Sequence, residues 1–266
     1  MFTPQQREEF EQSGVVCVPG AIASRDAAKM CDRVWETLGR RFKIRRDDPS
    51  TWGARRVAGF HDLPKAEAFE EIGSPAVREA LDELLGKGNW QRPERWGSLL
   101  VTFPESTARW ELPHKSWHLD FPAPSRLREL FAVRLFVCLA KLGPTGGGTL
   151  FLAGSHRLVQ DLADQEPADK LRSAEARESL IRNYPWVKGL CSFDETVDRV
   201  QQFVKGGVVM RDVNVRVIEM TGEAGDVFMT HPLILHAGST NCTKDPRLVL
   251  SSSVFRAGVE VSALYQ

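Results

Sequence analysis

The chain has no apolar run approaching the roughly 20 residues of a membrane span. Its opening, Met1-Phe2-Thr3-Pro4-Gln5-Gln6-Arg7, lacks the basic-then-apolar plan of a signal peptide. The cytoplasm is the expected location. Cysteine is sparse: Cys17, Cys31, Cys138, Cys191 and Cys242 are odd in number, widely spaced and without a C-x-x-C pair, which argues against a disulfide framework or a zinc ribbon. Net charge is missing too, since 35 basic and 35 acidic residues cancel, so no bulk attraction draws the chain to nucleic acid or to an anionic membrane. The cluster Gly146-Gly147-Gly148 has neither the Lys-Ser/Thr of a P-loop nor G-x-G-x-x-G spacing after a strand, and reads as a tight turn. Neither an internal repeat nor a low-complexity linker divides the 266 residues, and 42% hydrophobic composition suffices for a single domain of β-barrel size with helical additions.

What is present falls into two halves. Residues 1 to about 95 read as helical packing. Thr3-Pro4-Gln5-Gln6 is an N-cap, a Pro at the first helical position and a Gln that closes a capping box, and Gly14 ends that helix. Val15 to Val18 is a short strand; Ser24 is expected to cap a second helix to about Gly39, and Ser74-Pro75 opens a third. The segment from Arg40 to Arg56 is dense in cations, including Arg45-Arg46 and Arg55-Arg56, either as a solvated loop or to meet an anionic group of a substrate. From Gly97 onward strands dominate: Ser98 to Phe103, Phe131 to Leu139, Thr149 to Leu152, Val215 to Met220, Val227 to Met229 and Arg247 to Arg256. Many short strands joined by Gly and Pro turns predict an antiparallel sandwich or barrel. Residues from about 157 to 213 interrupt them with helix-leaning sequence, a lid-like insertion or substrate wall.

The chemistry centres on Ser116-Trp117-His118-Leu119-Asp120-Phe121-Pro122. On an extended backbone, residues two apart share a face, so His118 and Asp120 point at one spot while Leu119 points into packing. With His236 they supply two imidazoles and one carboxylate, the facial triad of non-haem Fe(II) oxygenases, which leaves coordination positions open. Each taken singly has a plainer reading as a packed or hydrogen-bonded residue. Arg247 follows His236 on the last long strand, and its planar guanidinium is suited to bind a carboxylate bidentately. Arg134 sits alone in an apolar run, so it must pair with a carboxylate or line a polar cavity. His114 and His118 are four apart, but Pro113 and the lack of an H-E-x-x-H glutamate weigh against a helical zinc site.

In the same order along the chain, Trp117-His118-Leu119-Asp120, Gly146-Gly147-Gly148-Thr149-Leu150 with Gly154-Ser155-His156, Gly225-Asp226-Val227, His236-Ala237-Gly238-Ser239 with Asn241, and Arg247 resemble the phytanoyl-CoA dioxygenase family of Fe(II)/2-oxoglutarate-dependent oxygenases. The opening Phe10 to Gly20 resembles that family's as well. The resemblance implies a mainly β fold, a double-stranded β-helix or jelly roll of cupin-like type, with helices packed outside. It further implies that His118, Asp120 and His236 hold Fe(II) and act in catalysis, and that Arg247 anchors the far carboxylate of 2-oxoglutarate. Dioxygen is the third reactant and a small molecule the substrate, hydroxylated as succinate and carbon dioxide are released. Asp120 disfavours halogenation, because the family's halogenating relatives carry a small residue there. Val249 departs from the pattern, standing where a hydroxyl often assists the anchoring arginine. Trp117, Arg134 and Tyr184-Pro185-Trp186 are the expected substrate contacts. The alternatives are a cupin-like metal enzyme that does not use the oxo acid, and a binding barrel without turnover.

Overall fold

The computed structural model describes residues 2–265 apart from 54–56, 58–59, 61–62, 64–66, 106–108, 128 and 167–168. Arg55 and Arg56 of the cationic segment lie outside the described residues. Helix α1 (Pro4–Ser13) starts on the Thr3–Gln6 capping box and stops at Gly14, whose φ of 75° lets its N–H turn back to the Phe10 carbonyl. Helix α2 (Ser24–Phe42) begins one residue before the sequence suggests. Ala23 is its N-cap and makes no side-chain bond, because the chain is already fixed there by Ile22 N–H on the Gly225 carbonyl. Helix α3 (Pro75–Leu85) takes Ser74 as its cap, with the hydroxyl accepting from Val77 N–H at 3.2 Å. The insertion contains α4 (Ser155–Gln165), α5 (Ser173–Asn183) and α6 (Pro185–Leu190), and a short α7 (Val261–Leu264) follows the last strand.

The strands are β1 (Val15–Val18), β2 (Ser98–Thr102), β3 (Ala123–Pro124), β4 (Ala132–Cys138), β5 (Leu150–Ala153), β6 (Lys170–Leu171), β7 (Val208–Met210), β8 (Val213–Glu219), β9 (Val227–Thr230), β10 (His236–Ala237) and β11 (Arg247–Phe255). They form a major sheet ordered β1-β9-β4-β11-β2, a minor sheet ordered β10-β5-β8-β7 and a small β3-β6 pair, every pairing antiparallel. Strand alternation sorts the side chains into layers. On β4, Val133, Leu135 and Val137 face outward with Leu248 and Leu250 of β11 onto α2 and α3, burying Met30, Val34, Leu38 and Leu81. The opposite face presents Phe136, Cys138 and Val249 to the minor sheet, where Phe136 meets Phe151 edge-on at 5.3 Å. The outer face of the minor sheet, Leu150, Leu152, Val215 and Val217, is covered by Leu158, Leu162 and Leu180 of the insertion helices. Two sheets packed face to face and covered by helices on both sides are the expected mainly β architecture. Among the described residues no helix is long and apolar enough to cross a membrane.

Arg134, Phe136 and Cys138 on β4 and Arg247, Val249, Ser251 and Ser253 on β11 therefore share the inter-sheet interior, with Ser253 opposite Arg134 and Ser251 opposite Phe136. Polar groups thus line an otherwise apolar inner face along the length of β11.

Candidate metal centre

His118 and His236 are brought together by their own backbones. His118 N–H donates to the His236 carbonyl at 2.9 Å and His236 N–H returns the bond at 3.0 Å, so the two residues form a hydrogen-bonded antiparallel pair with ring centroids 4.2 Å apart. His236 is fixed from the other side by β10, where it pairs with Phe151. The H-x-D segment makes only this single bridge and no longer strand, but two-residue alternation still holds: Leu119 is buried, and Asp120 turns back to the histidines. Nε2 of His118 lies 3.7 Å from Asp120 Oδ1, and Nε2 of His236 lies 3.3 Å from Oδ2.

The ring orientations decide what this cluster suits. His118 Nδ1 is 2.9 Å from the Ser116 carbonyl and His236 Nδ1 is 3.1 Å from the Ile234 carbonyl. A carbonyl only accepts, so each Nδ1 carries the proton and each Nε2 offers a lone pair. Burial, then the neighbouring His236, pushes the His118 pKa below its ordinary value, favouring the neutral ring. Burial alone would raise the Asp120 pKa, but a proton on the His236 ring, whose place at Nε2 a bound cation would take, and the Arg134 guanidinium outweigh it and hold the carboxyl at about 2. Three acceptor atoms, one from each residue, thus lie within 4.8 Å of one another. A divalent cation is what such a donor set fits, and oriented Nδ1–H donors are the usual support of metal-bound imidazole.

Arg247 lies at the other end of the same inner face and is buried. Its Nη2 donates to Thr149 Oγ1 at 2.8 Å and its Nη1 reaches Thr102 Oγ1 at 3.4 Å, while Nε is buried without a partner. Among the described residues no carboxylate pairs with it, and burial draws its pKa down to about 10. A desolvated guanidinium with two hydroxyls and an open Nε is a cradle for an incoming carboxylate. Thr102 and Thr149 supply the hydroxyls that Val249 does not.

Other expected contacts are placed elsewhere. Trp117 is 1% exposed, donates its Nε1–H to the Pro113 carbonyl at 2.8 Å and packs in the core beneath the insertion. Tyr184 is buried and Trp186 packs edge-on against Phe203, both within the helical layer. His114 packs on Phe193 and stands outside the metal cluster. Arg45 and Arg46 are engaged by Asp47 and Asp32, in keeping with a solvated loop. Arg134 meets the expectation of a carboxylate partner: its Nη1 is 3.0 Å from Asp120 Oδ2. One neighbour gave no sequence signal, Tyr265, whose hydroxyl donates to the Asp120 carbonyl at 3.1 Å.

The phytanoyl-CoA dioxygenase (PhyH) family model matches residues 10–249, and the chain belongs to this family. Solved structures similar to it include the epimerase SnoN in complex with Fe3+, alpha ketoglutarate and nogalamycin RO, at 15% identity over 98% of this chain and 88% of that one, with a TM-score of 0.54. HygX from Streptomyces hygroscopicus, with nickel and 2-oxoglutarate bound, aligns at 14% identity over 97% and 88% of the two chains, TM-score 0.55. The alpha ketoglutarate-dependent carbocyclase SnoK aligns at 17% identity over 99% and 90%, TM-score 0.52. At these identities the likeness is one of fold, and it makes the two-sheet core a jelly roll of this class. No curated protein sequence matches the chain.

Proposed function

We propose that the chain is an Fe(II)/2-oxoglutarate-dependent oxygenase that hydroxylates a C–H bond of a small molecule in the cytoplasm, with His118, Asp120 and His236 as iron ligands and Arg247 as cosubstrate anchor. The observation that carries this reading is the pairing, inside one barrel, of three converging acceptor atoms with a buried guanidinium that has no carboxylate partner among the described residues. A cupin-like enzyme without an oxo acid would have no use for that guanidinium. Iron and the oxo acid, when bound, supply the oxidation: dioxygen gives one atom to the substrate and one to succinate as 2-oxoglutarate loses carbon dioxide. The protein's own residues hold and orient. The Ser116 and Ile234 carbonyls fix the two imidazoles in the Nδ1–H tautomer. Arg247, with Thr102 and Thr149, binds the far carboxylate and so sets which end of the oxo acid reaches the ligands. Phe136, edge-on to His236 at 6.2 Å, keeps water from that ligand's inner side. The chain acts as a single domain, and residues 157–213 wall the substrate; what supports that role is Arg177 of α5, whose Nε donates to the Trp117 carbonyl, one residue before His118, at 2.8 Å. The nogalamycin-related ligand of SnoN supports a small-molecule substrate.

Anaerobic absorption spectroscopy of metal-free protein titrated with Fe(II) and 2-oxoglutarate tests the assignment. A weak visible band that is absent in His236→Ala, and that needs at least ~100-fold more oxo acid in Arg247→Ala, is expected, since a charged buried hydrogen-bond partner contributes roughly 3 kcal/mol or more. Wild-type protein that binds Fe(II) but gives no band at any oxo-acid concentration would overturn it.

A further inference from the structure

Arg134 is a half-buried cation beside the metal centre to which the proposed reaction assigns no task. It projects from the inner face of β4 between Ser253 of β11 and Thr230 of β9. Its guanidinium is held on several sides: Nη2 donates to Ser251 Oγ at 2.7 Å, Nη1 reaches Ser253 Oγ at 3.4 Å, and Cζ lies 5.4 Å from the Phe136 ring centroid. The remaining contact is the 3.0 Å approach of Nη1 to Asp120 Oδ2. Two serines on alternate residues of one strand thus aim a planar cation at one oxygen of the ligand carboxylate.

The two oxygens of Asp120 are consequently unlike. Oδ2 is sealed from solvent between Arg134 and His236 and forms no hydrogen bond, its contact with the guanidinium being an ion pair. The Asp120 side chain nevertheless keeps 23% of its surface, and Oδ2 contributes none of it. Oδ1 is the oxygen left free to bind. The distinction matters because a carboxylate can occupy one or two positions on a metal. Three protein donors leave three of six positions on an octahedral ion. An oxo acid chelating through two oxygens and dioxygen need all three. A second Asp120 oxygen would take one of them.

We infer that Arg134, held in place by Ser251 and Ser253, is a positioning residue that restricts Asp120 to a single donor oxygen and thereby keeps the cosubstrate's position open. This inference rests on the proposed iron/2-oxoglutarate reading. Arginine suits the role better than a neutral donor, because a full charge competes with a dication for the same oxygen and the guanidinium fork lets two serines fix its plane.

The test compares wild type with Arg134→Gln, Arg134→Lys and Ser251→Ala. Affinity for Co(II) and Fe(II) is measured by calorimetry on metal-free protein, followed by anaerobic 2-oxoglutarate titration of the Fe(II) form by its visible band. In Arg134→Gln the expected result is a split: metal affinity equal to or above wild type, because the second oxygen is released and a cation beside the metal is gone, with 2-oxoglutarate affinity about 10-fold lower and the band shifted. Arg134→Lys, which keeps the charge, restores most of the 2-oxoglutarate affinity. Ser251→Ala keeps both charges and shows the same split at smaller size, about 3-fold, so the inference stays testable if the Gln variant folds poorly. A parallel fall of both affinities with the thermal midpoint means a merely structural residue and overturns the inference. So does unchanged 2-oxoglutarate binding in Arg134→Gln, even where turnover is lost, since Arg134 would then serve the substrate. A wild-type protein without any oxo-acid band sinks the proposed function itself, whereas a wild-type band left unaltered by Arg134→Gln sinks only this inference.

Discussion

His156 is an imidazole enclosed between α1 and the end of β9, 4.7 Å from the His231 ring. Its Nε2 faces the Glu11 carbonyl at 3.2 Å and its Nδ1 is buried without a partner. Burial pushes its pKa down to about 4, and pushes His231 well below the ordinary value in the same way. A folded-state pKa below the unfolded one has a definite sign: above pH 6.5 both states are neutral, and between 6.5 and about 4 only the unfolded chain takes the proton, so stability falls with pH. His156 alone is expected to lose about 2 kcal/mol between pH 7.5 and 5. Glu219 works in the opposite direction, its carboxyl pushed up to about 7 by burial, so the whole-protein slope mixes the two. Urea denaturation of wild type and His156→Gln at both pH values isolates the histidine; equal pH dependence in the two proteins would rule the mechanism out. At this scale the sequence was informative where chemistry is local. The His118-x-Asp120 spacing needs only a two-residue period, and that same period puts Trp117 with Leu119 on the packed side, which is why an aromatic next to His118 is buried. The hydroxyls on Arg247 were illegible, because Thr102 and Thr149 stand 145 and 98 residues away in the chain and are joined to it only by strand pairing.

Among the elements, β2 shows how backbone limits protect the site from a distance. It is an edge strand, paired with β11 from Ser98 opposite Ser251 to Thr102 opposite Arg247. Gly97, just before it, has φ of 103°, and a Cβ there would lie 2.0 Å from the Ser251 carbonyl oxygen. Gly97→Ala is expected to cost about 2–4 kcal/mol and to lever β2 off β11, drawing Thr102 from Arg247. Its signature in calorimetry is a larger loss of 2-oxoglutarate affinity than of metal affinity. Gly20→Ala is the control, since its φ of 58° is strained but nothing lies within 4 Å, and about 1 kcal/mol without any effect on binding is expected. Equal losses in the two variants would argue against the steric account. Strands and capped helices could be read from the sequence because Thr3, Pro4, Gln6, Ser74 and Pro75 act within one turn. The order β1-β9-β4-β11-β2 could not, since it joins residues brought together only by the folded sheets.

For the molecule as a whole, the inter-sheet space is both core and site. Ligands that bind only the folded form stabilise it by mass action, about 2.7 kcal/mol at a hundredfold excess over Kd. For a chain of this size that is roughly a 5–10 °C rise in Tm. Mn(II) with 2-oxoglutarate is expected to raise Tm by that order under anaerobic conditions, and in Arg247→Ala the oxo acid should add nothing to the effect of Mn(II) alone. A cosubstrate-dependent rise that survives in Arg247→Ala would place the anchor elsewhere. Such coupling follows from β11, whose inner face carries Arg247 at one end and, four and six residues on, the Ser251 and Ser253 that hold Arg134 beside Asp120. This one strand is a ruler. The distance from Arg247 to the serines that hold Arg134 is set by strand pitch, and a register slip of two residues would preserve every inward-facing position while moving Arg247 by about 7 Å along β4. On the proposed reading, the span open to the oxo acid is tied in this way to the β4–β11 and β2–β11 registers, and a substitution that shifts either pairing is expected to change cosubstrate affinity without touching a side chain of the site.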